Sequence, residues 1–246
     1  MGLVTFASVK ASPGATTTAS LVAARCPGRR VLIEADESGG VLAPELGLGE
    51  SPSALELAGV ARDIDEEALD RHCQLAIGDL PVLVAPGEPH RVGSSFRELS
   101  APLASLLSRG ALTAFVDGGR LTPSSPAWPL AAASTLVVMV VRSRLAEFVA
   151  LSGRANELRA AGARLGLVVV ADGPYDPAEF AAAAGVELLS VLPLDPGVAG
   201  LARGGSVSAR ALTRSALWAA AGDLALALAD RCAPSVTHEA SIGSGA

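Results

Sequence analysis

The sequence predicts an α/β fold, a three-layer sandwich with a mostly parallel central sheet of about seven strands. Three observations carry this. Short β-branched runs recur along the chain with helical patterns between them, which is how successive βαβ units read in sequence. Several runs, such as Leu-Val-Val-Met-Val-Val at 136–141 and Leu-Val-Val-Val at 167–170, are apolar without alternation, as central strands covered by helices on both sides must be. The first apolar run leads through a glycine-containing loop directly into a helical pattern.

The expected strands are residues 3–9, 30–35, 81–85, 112–116, 135–141, 167–170 and 188–192. Between the second and third, residues 39–80 form a long connection with helical segments near 52–60 and 63–70. Proline-rich 122–129 reads as a loop whose Trp128 is a lid residue on the core rather than a partner contact. A helix is expected over 143–161 and a closing helix over 209–230. Arg142, Arg144, Arg154, Arg159 and Arg164 accompany the first of these, with Glu147 and Glu157 between them. That mixture reads as a solvated helix face.

With 246 residues, half of them apolar, the chain can bury one substantial core. A single domain over residues 1–232 is expected, followed by a small, polar, disordered tail over 233–246. The formal net charge of −6 argues against a generally basic, DNA-coating surface and leaves nucleic-acid binding to a local arginine patch. Cys26, Cys73 and Cys232 are too widely spaced for a disulfide framework or a zinc site and read as buried fillers. No secretory signal pattern opens the chain, and the longest uncharged apolar run, residues 130–141, is too short to cross a bilayer. A cytoplasmic location is expected.

The stretch that carries chemistry is Lys10-Ala11-Ser12-Pro13-Gly14-Ala15-Thr16-Thr17. A strand, a glycine loop and a helix N-terminus together form the geometry in which backbone N–H groups cradle phosphate. Of 19 basic residues, 18 are arginine, and the single lysine, Lys10, stands in this loop. Against the pattern G-x-x-x-x-G-K-[ST], Gly14 and Thr16 hold the last glycine and the magnesium-binding hydroxyl, but Ala15 replaces the lysine. The second strand ends in Glu34-Ala35-Asp36, on the side where open α/β sheets bind ligands. Asp36 there fits a magnesium or water-orienting role, and equally an acidic turn. The fourth strand ends in Asp117-Gly118-Gly119-Arg120, the Walker B form, with a carboxylate for magnesium and a glycine N–H that can approach the terminal phosphate.

These residues resemble the ParA/MinD family of deviant Walker A phosphate-loop proteins, over nearly the whole chain from Leu3 to about Arg231. The family loop reads K-G-G-x-G-K-[ST]-T. The resemblance implies a P-loop NTPase-like fold, ATP or ADP with Mg2+ as cofactors, and a homodimer in which Lys10 reaches the partner's nucleotide. It also implies an unidentified protein partner. As catalytic groups it implies Lys10, Asp36 and Asp117, and as metal-holding groups Thr16, Asp36 and Asp117. Nucleotide contacts fall to Lys10, Ser12, Pro13, Gly14, Ala15, Thr16, Thr17, Gly119, Pro193 and Asp195. Ala171-Asp172 departs from the family's adenine-reading asparagine. With Ala15, this places the chain beside degenerate TadZ/CpaE-type and actinobacterial MinD-like members. The expected function is nucleotide-dependent positioning of a chromosome, septum or envelope or pilus machine, with weak or absent ATP hydrolysis. A ligand-free interaction scaffold and a metabolic P-loop enzyme, a synthetase or small-molecule kinase, are the alternatives.

Overall fold

The computed structural model describes residues 2–10, 14–76, 78–109, 112–195, 198 and 209–232. Strands β1 (Leu3–Ser8), β2 (Arg30–Glu34), β3 (Gln74–Ala76), β4 (Leu80–Leu83), β5 (Thr113–Arg120), β6 (Leu136–Arg142), β7 (Leu165–Ala171) and β8 (Glu187–Pro193) form one sheet in the order β3-β4-β2-β5-β1-β6-β7-β8. All neighbours pair in parallel except β3 and β4. Seven of the strands are those expected from sequence. The eighth, β3, is a three-residue antiparallel edge strand with an exposed centre, and Gln-Leu-Ala carries no β-branched residue to reveal it.

Helices cover both faces, because the central strands have no polar side to show water. One layer holds α1 (Ala15–Arg25), α2 (Leu42–Leu46), α9 (Ala209–Leu212) and α10 (Ala216–Cys232), packed on Val4, Phe6, Leu32, Phe115, Val138 and Val140. The other holds α3 (Ala54–Ala58), α4 (Glu66–His72), α5 (Pro89–Arg109), α6 (Trp128–Ala132), α7 (Leu145–Ala160) and α8 (Pro177–Ala184) over Leu3, Ala7, Val31, Ile33, Ala114, Val116 and Val137. Val137 to Val141 of β6 are wholly buried, each side chain contributing about 1.5–3 kcal/mol through removal from water. Trp128 is partly buried against this second core, as a residue packed on the core should be.

Three departures from the sequence expectations have physical causes. The closing helix is broken between α9 and α10, where Ser215 caps the second helix by accepting from the Trp218 N–H at 3.0 Å. The 21-residue α5 contains Gly93 and Pro102, which dilute its helical signature. Finally, β5 does not stop at Val116 but continues through Asp117 to Arg120. Its register to β1 shifts by one residue on the way, pairing Phe6 with Asp117 but Ser8 with Arg120.

Of the cysteines, Cys26 is buried, and burial pushes Cys73 up to about 12, which keeps it an unreactive filler. The Cys232 side chain and the expected tail, 233–246, lie outside the described residues. Among the described residues no group of three or more His, Cys, Asp or Glu side chains is arranged to hold a metal. No helix among them is long and apolar enough to cross a membrane.

Candidate functional site

The site forms where β1 ends and α1 begins. Gly14, with φ of 95°, is the N-cap of α1, a left-handed conformation that glycine adopts without steric cost. The first turn of α1 carries no acidic side chain, so the positive end of the helix dipole is not neutralised from within. Gly14, Ala15, Thr16, Thr17 and Thr18 all line a cleft of ≈ 590 Å³ at the carboxyl ends of the strands. Ser8, Asp36, Ser38, Glu45 and Gly119 border the same cleft.

Asp117 lies below this surface, fully buried on the α1 side of the sheet. Its Oδ1 accepts the Gly119 N–H at 3.0 Å, while Oδ2 is buried without a well-formed hydrogen bond. Burial pushes its pKa up to about 6 and the nearby Asp36 carboxylate adds to the rise; the Thr16 hydroxyl and the Gly119 N–H pull it down. Asp36 follows β2, and its Oδ1 accepts the Ser38 N–H at 2.9 Å, fixing the turn that carries it over Gly119.

Two further acids shape the cleft and were not singled out by sequence. Glu34 is completely buried. Its Oε1 accepts the N–H groups of Val41 and Leu42 at 2.6 and 2.8 Å, and its Oε2 accepts that of Ala85 at 2.8 Å. It thereby pins the segment containing Asp36 and Ser38 to the end of β4. Burial pushes Glu34 up to about 7 despite these donors. Glu45, half-buried on the rim, also rises to about 7, through burial and then the charge of Asp117.

At the other end Pro193 and Asp195 line the cleft, joined by Leu192 and Leu194. Asp172 is not a free reader of a ligand: its Oδ2 pairs with Arg142 at 3.2 Å and with Arg144 at 2.8 Å. This revises the solvated helix face. Arg142 ends β6 and lines the cleft, Arg154 pairs with Glu157 at 2.8 Å, and Arg159 donates to the Gly185 carbonyl at 2.5 Å. Lys10, two residues beyond β1, is exposed and is not among the residues lining the cleft. The expected contacts Ser12 and Pro13 lie outside the described residues. Arg120 also lines the cleft; its signal in the sequence was its place directly after Asp-Gly-Gly.

A mostly parallel α/β sheet with a glycine-entered helix over its central strand, and an aspartate on the neighbouring strand behind it, is the architecture of a P-loop NTPase-like fold. More narrowly, the chain has the ParA/MinD fold. It superposes on a ParA family ATPase from Chlorobium tepidum TLS with a TM-score of 0.72 and 17% identity, covering 92% of this chain and 97% of that one. For the cell division ATPase MinD of Pyrococcus furiosus the values are 0.74, 19%, 92% and 98%. For the septum site-determining protein MinD of Pyrococcus horikoshii OT3, complexed with Mg-ADP, they are 0.73, 18%, 92% and 94%. No family model matches the chain, and no curated protein matches it by sequence.

Proposed function

We propose that this chain is a nucleotide-binding protein of the ParA/MinD kind that serves spatial positioning, with weak or absent ATP hydrolysis. The observation that carries the reading is the Thr16 hydroxyl on the cleft wall, directed at the buried, under-satisfied Asp117 beneath it. A buried carboxylate raised to about 6 is costly to keep, and a site for Mg2+ would account for it. The residues fit such an ion: Thr16 would supply a hydroxyl oxygen, with Asp117 and Asp36 holding its waters. When bound, Mg2+ neutralises phosphate charge. The helix N-terminus of α1 and the Gly119 turn would receive the phosphates, and Pro193 with Asp195 would border the base. The Mg-ADP bound to the Pyrococcus horikoshii protein is in keeping with this ligand class.

Weak turnover follows from Ala15. Phosphoryl transfer relies on charge stabilisation around the transferred group, and the loop offers no cation of its own at that position. The same absence favours a second reading, a scaffold that binds no nucleotide. Calorimetric titration of the full chain with ATP and ADP, with and without magnesium, separates the two. Magnesium-dependent binding supports the first, and no heat at millimolar nucleotide supports the second. Nucleotide-dependent homodimerisation and an as yet unidentified protein partner belong to the first reading, with a cytoplasmic site of action.

A further inference from the structure

Ala15 leaves the start of α1 without a lysine, yet two arginines border the cleft that opens there. β1 ends at Ser8, and its two neighbours are β5 and β6. On β5 the register partner of Ser8 is Arg120. On β6 it is Val140, with Arg142 two residues further on. Positive charge thus approaches the start of α1 from both flanking strands.

The two are not equivalent. Arg142 is held by Asp172, with its side chain 25% exposed. Arg120 is exposed, and among the described residues its guanidinium makes no ion pair or hydrogen bond. Its position depends on a bulge. From the Phe6–Asp117 pair to the Ser8–Arg120 pair, β1 advances two residues and β5 three. A one-residue slip moves every later side chain to the opposite face of a sheet. Without it Arg120 would stand on the α5 side; with it Arg120 shares the α1 side with Phe6 and Asp117. Gly119 provides the bulge through its φ of 52°, and bulges next to active sites commonly re-aim a side chain in this way.

We propose that Arg120 is the phosphate-binding cation of this cleft, supplying from β5 the charge that Ala15 leaves missing, and that the ligand class is a polyphosphate such as a nucleoside di- or triphosphate. The inference rests on the nucleotide reading above and deepens it. A guanidinium presents a planar fork that grips two phosphate oxygens at once, so one arginine on the strand beside the loop can act where a lysine inside the loop ordinarily would. Arg142, already held by Asp172, contributes less.

The test is calorimetry on the full chain with Mg-ATP and with inorganic pyrophosphate. Arg120→Gln is expected to weaken both by about ten- to a hundredfold, the contribution of hydrogen bonds to a charged group, with an unchanged thermal melt because the side chain is exposed. Adding Ala15→Lys to that variant should recover most of the loss, since a cation is returned to the same phosphates. If Arg120→Gln binds both ligands as the wild type does, the assignment of Arg120 is overturned while the nucleotide reading stands. A loss that Ala15→Lys does not recover also overturns it, because the substitution has then damaged the cleft. A wild type that binds neither ligand overturns both readings together.

Discussion

The Asp36 carboxylate occupies the space that a side chain on residue 119 would need: a Cβ on Gly119 would lie 1.9 Å from Asp36 Cγ and 2.0 Å from its Oδ2. Gly119 also has a φ of 52°, so glycine is required there on two grounds at once. Gly28 isolates one of them, because its φ is 80° but nothing lies within 4 Å of its missing Cβ. Gly28→Ala should therefore cost only the conformational penalty of about 1–2 kcal/mol. Gly119→Ala should cost clearly more, because Asp36 must move as well. Denaturant unfolding of the two variants checks the ranking; equal losses would mean that Asp36 yields freely.

Thr16 and Asp117 should act as a pair in magnesium-dependent binding. Thr16→Val removes the hydroxyl and Asp117→Asn removes the buried charge; each should abolish the effect of magnesium on nucleotide affinity. Without the loop lysine, wild-type affinity is expected to be about micromolar or poorer. Ala15→Lys should raise it, and titration with and without the metal reads all four proteins. Nanomolar ATP affinity in the wild type would contradict this account.

How far the sequence reveals this architecture depends on which interactions decide each element. The seven strands expected from sequence are all present because burial on both faces leaves a run of apolar residues that no other element explains. The positions of the loop, Asp36 and Asp117 towards the carboxyl ends of strands were legible because each follows an apolar run. Glu34 and Glu45 were not, since a carboxylate among apolar residues looks like a strand terminus or a surface acid until its burial is known. Arg142 was misplaced for a related reason: its partner Asp172 lies 30 positions away on another strand end, and only the β6–β7 pairing brings them together. The bulge that aims Arg120 left just two adjacent glycines as its trace.

Acidity should stabilise the ligand-free protein over the mildly acidic range. Glu34 and Glu45 have folded pKa values near 7 against an ordinary 4.5, and Asp117 about 6 against 3.8. The folded state holds these protons more tightly than the unfolded state does. Their favourable contribution is complete below the unfolded values and is lost as pH rises through the folded ones. The unfolding midpoint is therefore expected to fall between about pH 5.5 and about pH 8. Glu45→Gln should reduce that fall, since among the described residues its side chain makes no hydrogen bond that the amide would break. A midpoint that rises over this interval, or a variant with the same slope as the wild type, would show that the cleft acids are ionised without penalty.

Lys10 should act between subunits. It follows the end of β1, is exposed, and does not line the cleft of its own chain, so its ammonium is free to serve a ligand held elsewhere. If two clefts face each other across a two-fold axis, each Lys10 would offset phosphate charge that otherwise repels the halves. Dimerisation should then strengthen with Mg-nucleotide, because a ligand bound mainly by the dimer stabilises the dimer. Lys10→Ala should remove that gain, and an exposed position predicts an unchanged thermal melt. Sedimentation of both proteins with and without Mg-ATP reads the coupling. A wild type that stays monomeric at saturating nucleotide, or a variant that dimerises equally well, would leave Lys10 no role across the interface.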